Sequence, residues 1–213
     1  MIITIDGPAG SGKSTVAKLL AERLKVRFLD TGAMYRAVAL AVLQSDAEES
    51  DVGAVAAIAR DADISFDNET ITLNGQGVAA EIRTPHVTAI SSVVAANPDV
   101  RTRLVELQRA VGHQGSLVTE GRDQGSVVFP DAEFKFFVTA SVDSRARRRH
   151  RELIAGGSRL TLATVRTQLQ QRDARDESRE HAPMKPADDA VTLDTSDMSI
   201  VQVVDSVASI VEE

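Results

Sequence analysis

The sequence predicts an α/β protein with a doubly wound parallel sheet of five strands and helices on both faces. Short runs of β-branched and apolar residues alternate along the chain with longer segments in which apolar residues recur at helical spacing. Polar loops follow the first three strands that are predicted for this sheet. Ligand-binding loops take this place at the carboxyl ends of parallel strands, so both observations favour the same fold class.

The chain opens with the best defined of these strand–loop–helix units. Ile2–Ile5 is a β-branched apolar run typical of a buried strand, and Thr15–Leu24 has the apolar spacing of a helix. The loop between them matches G-x-x-x-x-G-K-[ST], in which glycines turn backbone N–H groups toward phosphate oxygens. Lys13 suits the β- and γ-phosphates, and the Ser14 hydroxyl suits Mg²⁺, directly or through water. We therefore expect nucleoside-triphosphate binding by Gly7, Pro8, Ala9, Gly10, Ser11, Gly12, Lys13, Ser14 and Thr15.

Composition limits the classes of protein to which the chain can belong. Its 213 residues, 43% of them hydrophobic and 26% charged, suit one soluble domain spanning residues 1–213. A net charge of -7 argues against general nucleic-acid binding, and the absence of cysteine excludes disulfides and thiolate metal sites. No apolar run is long enough for a membrane span, and the first strand leaves no room for a signal peptide, so we expect a cytoplasmic protein with no membrane partner.

The middle of the chain departs from the parallel pattern. A second strand and helix are predicted over Val26–Leu29 and from Thr31 to about Leu43. Farther on, short apolar runs are separated by turn sequences at residues 67–69 and 74–77. These turns predict antiparallel hairpins, which do not belong in a parallel sheet. We therefore expect residues 52–96 to form an inserted lobe, which includes helices over Val52–Ala62 and Val87–Ala96.

The alternation of strands and helices resumes after this region. Pro98–Gly112 predicts a helix with proline in its first turn. A third strand at Leu117–Thr119 leads into the polar loop at residues 120–125. The remaining strands and helices are predicted in turn over Phe134–Thr139, Val142–Ala155, Leu160–Arg179, Val191–Asp194 and Ile200–Val211.

Arginine is unevenly distributed. Of the 24 basic residues 19 are arginine, and ten arginines lie between Arg145 and Arg179. The guanidinium fork binds phosphate and carboxylate groups, so this cluster favours a small polyanionic ligand. Arg172, Asp176 and Arg179 have the spacing of one helix face, which suits a phosphate and a sugar hydroxyl. On spacing alone, a solvated face of ion pairs is the commoner outcome, and both interpretations are open.

Further candidates lie on or near the loops that follow strands. Each alone is weak evidence, and most have an ordinary alternative: Arg36 and Arg101 as surface residues, Tyr35 as a core residue, and Arg122 with Asp123 as a local ion pair. Together with the phosphate loop, they place several arginines near one expected ligand site. The full set is Thr31, Tyr35, Arg36, Arg101, Arg122 and Asp123.

Longer segments are more specific than these single residues. Two segments distinguish one protein family from another better than the phosphate loop does: D-T-G-A-M-Y-R at residues 30–36 and E-G-R-D at 120–123. With the segments at 3–15, 81–84, 120–131, 171–176, 182–187 and 193–195, the chain resembles bacterial cytidylate kinases. These belong to the nucleoside monophosphate kinase superfamily of P-loop kinases. The resemblance covers essentially the whole chain, and Gln124 is a minor departure, at a position where the family usually has an apolar residue.

The resemblance implies an activity and a role for each candidate. It implies transfer of the γ-phosphoryl group of ATP to CMP or dCMP, with Mg²⁺ as cofactor. Arg36, Arg122, Arg172 and Arg179 would clamp the acceptor phosphate, and Asp176 would bind the sugar hydroxyls. Thr31, Arg101 and Asp123 would read cytosine, whose amino group is a donor beside the N3 and O2 acceptors. Tyr35 is included among the CMP-binding residues, and the catalytic residues would be Lys13, Arg122, Arg172, Arg145 and Arg149.

The resemblance also implies how the chain is divided. Residues of about 1–51, 97–142 and 160–213 would form the kinase core, and residues 52–96 would be the lobe that binds the acceptor nucleotide. Residues of about 143–159 would form a short helical lid, with Gly156-Gly157 as its hinge. A monomer is expected. No general base is required, because the acceptor phosphate is already an anion.

Three other interpretations compete with this one. A uridylate, adenylate or shikimate-type kinase would use the same scaffold, although Asp123 and Arg101 favour cytosine. A GTPase-like switch would carry an N-K-x-D guanine motif, which the sequence lacks. A catalytically silent relative would have lost catalytic residues, whereas every matching position is filled.

Overall fold

The computed structural model describes residues 1–67 and 70–212 and divides the chain into two compact units. Unit 1 comprises Met1–Val26 and Val118–Glu213, and unit 2 comprises Arg27–Leu117. In chain order the strands are β1 (Ile2–Asp6), β2 (Arg27–Asp30), β3 (Ile64–Asp67), β4 (Thr70–Leu73), β5 (Gln76–Gly77), β6 (Leu117–Gly121), β7 (Phe134–Thr139) and β8 (Val191–Asp194). The helices are α1 (Lys13–Leu24), α2 (Thr31–Leu43), α3 (Val52–Asp61), α4 (Pro85–Val94), α5 (Pro98–Gly112), α6 (Val142–Ala155), α7 (Leu162–Glu177) and α8 (Ile200–Glu212).

The main sheet has five strands and is flanked by helices, which confirms the predicted fold class. Its strands lie in the order β2–β6–β1–β7–β8, and unit 1 contains β1, β7, β8 and all of β6 except Leu117. β1 pairs with β7 in parallel, with Ile3 opposite Phe134, and β7 pairs with β8 in parallel. Ile3, Ile5 and Val138 are fully buried, as expected for strands covered on both faces.

Unit 2 contains the antiparallel hairpins that the turn sequences predict. β3, β4 and β5 form a separate three-stranded antiparallel sheet. Asn74 and Gly75 between β4 and β5 have positive φ values of 52° and 76°, as a tight hairpin turn requires. Of the other predicted turn, Asn68 and Glu69 lie outside the described residues. The proposed boundaries of the lobe, the lid and the core stay predictions.

Helix ends follow local capping rules. Asn97 accepts hydrogen bonds from the backbone N–H groups of Asp99 and Val100, and Pro98 occupies the first turn of α5. α4 begins at Pro85 instead of Val87, because the Thr84 hydroxyl caps it and proline is tolerated in the first turn. α7 ends at Glu177, so Arg179 lies beyond the helix instead of on its last turn.

The loop that follows β6 contains an element that the sequence analysis did not predict. Gln124–Val128 forms a single π-helical turn within the polar loop that follows β6. Single π-turns of this kind are rare and occur frequently at functional sites. Across residues 1–67 and 70–212, no helix is both long enough and apolar enough to cross a membrane.

Candidate active site

The phosphate loop in unit 1 has the backbone shape that its glycines predict. Gly7, Gly10 and Gly12 have φ values of 149°, 75° and 92°, which residues with a Cβ rarely adopt. A Cβ on Gly7 would lie 2.0 Å from the Val138 carbonyl oxygen, so only glycine fits against β7. The Ser11 hydroxyl in this loop is buried and has no hydrogen-bond partner within the described part of the chain.

Lys13 and Ser14 at the start of α1 share one acidic partner. The Lys13 ammonium is buried, 3.4 Å from the Pro8 carbonyl oxygen and 3.6 Å from Glu120 Oε2. The Ser14 hydroxyl donates to Glu120 Oε1 at 2.9 Å. Glu120 lies near the end of β6 and is also buried, so one carboxylate holds both side chains at the helix start.

The Ser14–Glu120 pair fits the chemistry of Mg²⁺. A hydroxyl and a carboxylate are hard oxygen ligands, which Mg²⁺ prefers. The described residues contain no group of three or more His, Cys, Asp or Glu side chains that could hold a metal ion. Mg²⁺ characteristically binds through one or two protein ligands together with substrate phosphates and water, so the small ligand set is compatible with it.

Two arginines of α6 hold the phosphate loop from outside. Arg145 is buried and donates to the Ala9 carbonyl at 3.1 Å, to the Ala140 carbonyl at 2.9 Å and to Asp173 Oδ2 at 2.6 Å. Arg148 donates to the Ser11 carbonyl at 3.1 Å and also to Thr195.

Arg149 has a different environment. Its side chain is exposed and pairs with Glu152, three residues farther along the same helix. Of the two predicted catalytic arginines of α6, Arg145 therefore contacts the phosphate loop. The catalytic role of each stays a prediction.

The second cationic group in unit 1 surrounds Asp176. Arg122 Nε donates to Asp176 Oδ2 at 2.8 Å, and Arg179 donates to the other carboxylate oxygen. Burial raises the pKa of Asp176, but the charges of Arg122, Arg179 and Arg172 outweigh it and leave the pKa below its usual value. The structure thus brings three predicted arginines together around the buried carboxylate of Asp176, a fourth predicted residue.

Asp6 binds the backbone at the start of the π-helical turn that follows Asp123. The Asp6 carboxylate accepts from the backbone N–H groups of Gln124 at 2.9 Å and Gly125 at 2.8 Å. Burial raises the pKa of Asp6 to about 7, although the hydrogen bonds from the two backbone N–H groups oppose the shift. The side chain of Asp123 itself is buried, and its charge raises the Asp6 pKa further.

Unit 2 holds the remaining predicted residues. Thr31 is the first residue of α2 and is buried. Arg36 donates to Asp30 Oδ2 at 3.1 Å, and the other oxygen of Asp30 caps α2 by accepting from Ala33. The Arg101 guanidinium lies 5.7 Å from the centroid of the Tyr35 ring, which is within cation–π range. Arg101 is buried rather than on the surface, so this alternative interpretation of it is wrong.

Sequence reasoning missed four acidic residues that hold either a predicted cationic side chain or the backbone of the site. Three of them, Asp6, Asp30 and Glu120, lie at or next to the last residue of a strand, and the fourth, Asp173, lies in α7. An acidic residue at the carboxyl end of a buried parallel strand was the available signal, because such a position is seldom solvated.

Comparisons with known proteins identify the family. A family model described as "Cytidylate kinase" matches residues 3–213. The cytidylate kinase of Citrifermentans bemidjiense is 45% identical over 217 residues, which cover 100% of this chain and 93% of the relative. That of Geobacter sulfurreducens is 44% identical with the same coverage of both chains. A crystal structure of shikimate kinase from Bacteroides thetaiotaomicron aligns with a TM-score of 0.51 at 12% identity, over 100% of this chain and 99% of that chain, and shows the fold alone. The chain therefore belongs to the cytidylate kinase family.

Proposed function

We propose that this protein transfers the γ-phosphoryl group of ATP to CMP or dCMP and releases ADP with CDP or dCDP. The observation that carries the proposal is the presence in unit 1 of two separate cationic groups. One is the phosphate loop with Lys13, and the other is the set of arginines around Asp176. Two anionic nucleotides need two such groups, and the family match supports ATP and CMP as the nucleotides.

Arg36, Arg122, Arg172 and Arg179 bind the acceptor phosphate in this proposal. Arg122 and Arg179 are already oriented by Asp176, so less side-chain entropy is lost when they donate to a phosphate. Arg36 is oriented in the same way by Asp30, and its Nε atom is buried without a hydrogen-bond partner among the described residues. Asp176 accepts hydrogen bonds from the sugar hydroxyls.

Asp123, Arg101, Thr31 and Tyr35 select the cytosine base. Asp123 accepts from the 4-amino group, and Arg101 donates to N3 or O2. Tyr35 supports Arg101 through the contact with its ring. Uracil has an acceptor oxygen in place of the 4-amino donor and an N3–H donor in place of the N3 acceptor. Each buried partner left unmatched in this way would cost about 1–3 kcal/mol.

The chemistry requires alignment and charge neutralisation rather than a base. The backbone N–H groups of the phosphate loop and Lys13 hold the donor phosphates, and the acceptor phosphate attacks as an anion. Arg145 and Arg149 contribute positive charge from residues 143–159, which we propose as the lid that excludes water. Ser14 and Glu120 would hold Mg²⁺. When bound, Mg²⁺ supplies additional neutralisation of the phosphate oxygens.

Three further expectations complete the proposal. Residues 52–96 act as the acceptor-binding lobe on a core of residues 1–51, 97–142 and 160–213. The protein works as a monomer. It works in the cytoplasm, with neither nucleic acid nor membrane as a partner.

The test is an ADP-release assay in which CMP, dCMP, UMP, AMP and shikimate are supplied separately with ATP and Mg²⁺. We expect turnover with CMP and dCMP that exceeds turnover with each other acceptor by about a hundredfold or more. Lys13→Ala is the control and should abolish turnover with every acceptor. A preference for UMP, AMP or shikimate would refute the proposal in favour of a related kinase.

A further inference from the structure

Asp6 has no part in the proposed chemistry, yet it is a buried carboxylate beside the phosphate loop. It ends β1, directly before Gly7, and 4% of its surface is exposed. Its two oxygens accept hydrogen bonds from two successive backbone N–H groups, those of Gln124 and Gly125. These are the two residues that follow Asp123, the proposed reader of the cytosine amino group.

We infer that Asp6 is a positioning residue for base selection: its carboxylate fixes the backbone that holds Asp123. The inference rests on the proposed function. It assigns Asp6 no contact with either nucleotide. Its effect passes through the loop at residues 122–125.

The geometry suits a carboxylate and no other side chain of this size. Oδ1 faces the Gln124 N–H at 2.9 Å and Oδ2 faces the Gly125 N–H at 2.8 Å, so both oxygens must be acceptors. Asparagine has one acceptor oxygen, and its NH₂ group would face the second N–H. On the other side, the Asp123 carbonyl accepts from Val127 at 2.9 Å and Val128 at 3.2 Å, so the turn is held from both ends.

Close packing leaves this backbone little room to move. A Cβ on Gly125 would lie 2.8 Å from the Thr4 hydroxyl oxygen on β1. The turn therefore rests directly against the strand that carries Asp6. The Gln124 side chain forms a separate link, because its Oε1 atom accepts from the Thr119 hydroxyl at 2.9 Å.

Arg122 does not depend on Asp6 in the same way. Its side chain is held instead by Asp176 of α7, because Arg122 Nε donates to Asp176 Oδ2 at 2.8 Å. Loss of the Asp6 carboxylate should therefore displace Asp123 more than Arg122. Base discrimination should fall further than binding of the acceptor phosphate.

The experiment compares Asp6→Asn with Gln124→Met. Gln124→Met removes the side-chain link to Thr119 but keeps the backbone N–H that Asp6 accepts, so it is the matched control. We expect Asp6→Asn to lower kcat/KM for CMP by about 100-fold, the effect of misplacing a group by about 1 Å. The ratio of kcat/KM for CMP over UMP should fall about tenfold, while ADP affinity stays within about twofold. Gln124→Met should stay within about twofold of wild type in all three quantities.

A second readout is independent of catalysis. Amide hydrogen exchange of Gln124 and Gly125 in the full-length protein should be about tenfold faster in Asp6→Asn than in wild type, and little changed at other buried strands. If wild type phosphorylates no CMP, the proposed function fails, and faster exchange at these amides would still support the role of Asp6. Unchanged exchange, or an unchanged CMP/UMP ratio in a folded Asp6→Asn protein, would overturn the inference.

If Asp6→Asn does not fold, Gly125→Ala displaces the same backbone by another route. Its Cβ would be forced against Thr4, and Thr4→Ala would remove the clashing hydroxyl. Gly125→Ala should lose CMP/UMP discrimination, and the Thr4→Ala/Gly125→Ala double variant should recover most of it. An undiminished ratio in Gly125→Ala, or no recovery in the double variant, would overturn the inference.

Discussion

Replacement of Asp176 by asparagine tests the arginine group of unit 1 most directly. Asp176 is 1% exposed and accepts from both Arg122 and Arg179, whose side chains are 15% and 9% exposed. Asparagine keeps the volume of the side chain but removes the charge, and it turns an NH₂ group toward one of the guanidinium groups. The variant thus leaves neighbouring buried cations without their counter-charge.

The expected loss of stability follows from this burial. Removal of one partner from a buried ion pair costs about 3–5 kcal/mol. The two arginines retain some access to water and can rotate outward, so we expect a value near the lower limit, about 3 kcal/mol. Urea-induced unfolding of wild type and variant measures this difference.

Arg149 and Glu152 provide a matched control. They form an Arg–carboxylate pair with the same three-residue separation as Asp176 and Arg179, but both side chains are exposed. Glu152→Gln should therefore change the free energy of unfolding by less than about 1 kcal/mol. Equal losses in Asp176→Asn and Glu152→Gln would refute the argument, because burial would then have no effect on the strength of the pair.

The pH dependence gives the same prediction a second check. The fold lowers the pKa of Asp176, so its ionised form contributes stability above the pKa of an unfolded aspartate, 3.8. That contribution is lost as the pH falls through the lower folded value. The difference in the free energy of unfolding between wild type and Asp176→Asn should therefore be constant near neutral pH and become smaller in acid. A gap that widens on acidification would contradict the sign of the shift.

Three other predictions follow from single contacts. Gly7→Ala should lower the free energy of unfolding by more than about 2 kcal/mol in a urea titration, because its Cβ would lie 2.0 Å from the Val138 carbonyl oxygen. The control Gly53→Ala in α3 should be neutral or stabilising. The unfolding free energy of wild type should fall as the pH rises from about 4 to about 7, by up to about 1.4 kcal/mol per pH unit from Asp6 alone, because folding raises the pKa of Asp6. Asp6→Asn should lose this slope, and an equal slope in both proteins would contradict the assignment. Arg145→Lys should weaken ADP binding about tenfold in calorimetry, with little change in KM for CMP, because lysine cannot reproduce the fork that joins Ala9, Ala140 and Asp173; equal effects on both would count against a role confined to the phosphate loop.

The order of strands and helices was predictable because local chemistry determines it. Pro98–Gly112 and Val142–Ala155 have the predicted bounds, since proline or a capping side chain marks each start. Phe134–Thr139 and Val191–Asp194 also match, as short apolar runs between polar loops. The π-helical turn at Gln124–Val128 was not predictable, because its first two backbone N–H groups bind Asp6, which is more than a hundred residues away in the sequence.

The candidate site was only partly predictable for a related reason. Spacing placed Arg172, Asp176 and Arg179 on one side of a helix, but it could not separate a buried site from a solvated face. The structure decides this point, because Asp176 is buried while Arg175, next to it in sequence, is exposed. Burial depends on tertiary packing against other elements, and periodicity within one segment does not report it.

The acidic partners explain how a protein with a net charge of -7 can carry so cationic a site. Burying a cation alone is expensive, and three basic groups of the site are each matched by a carboxylate: Lys13 by Glu120, Arg145 by Asp173 and Arg122 by Asp176. Each carboxylate takes only part of the hydrogen-bonding capacity of its partner, since arginine has five N–H donors and lysine three. The carboxylates also fix the direction of these side chains, which is the condition for binding a phosphate with little reorganisation. Charge summed over the whole sequence therefore says little about this site, whereas the pairing of these three cations with strand-end or helix acids accounts for it.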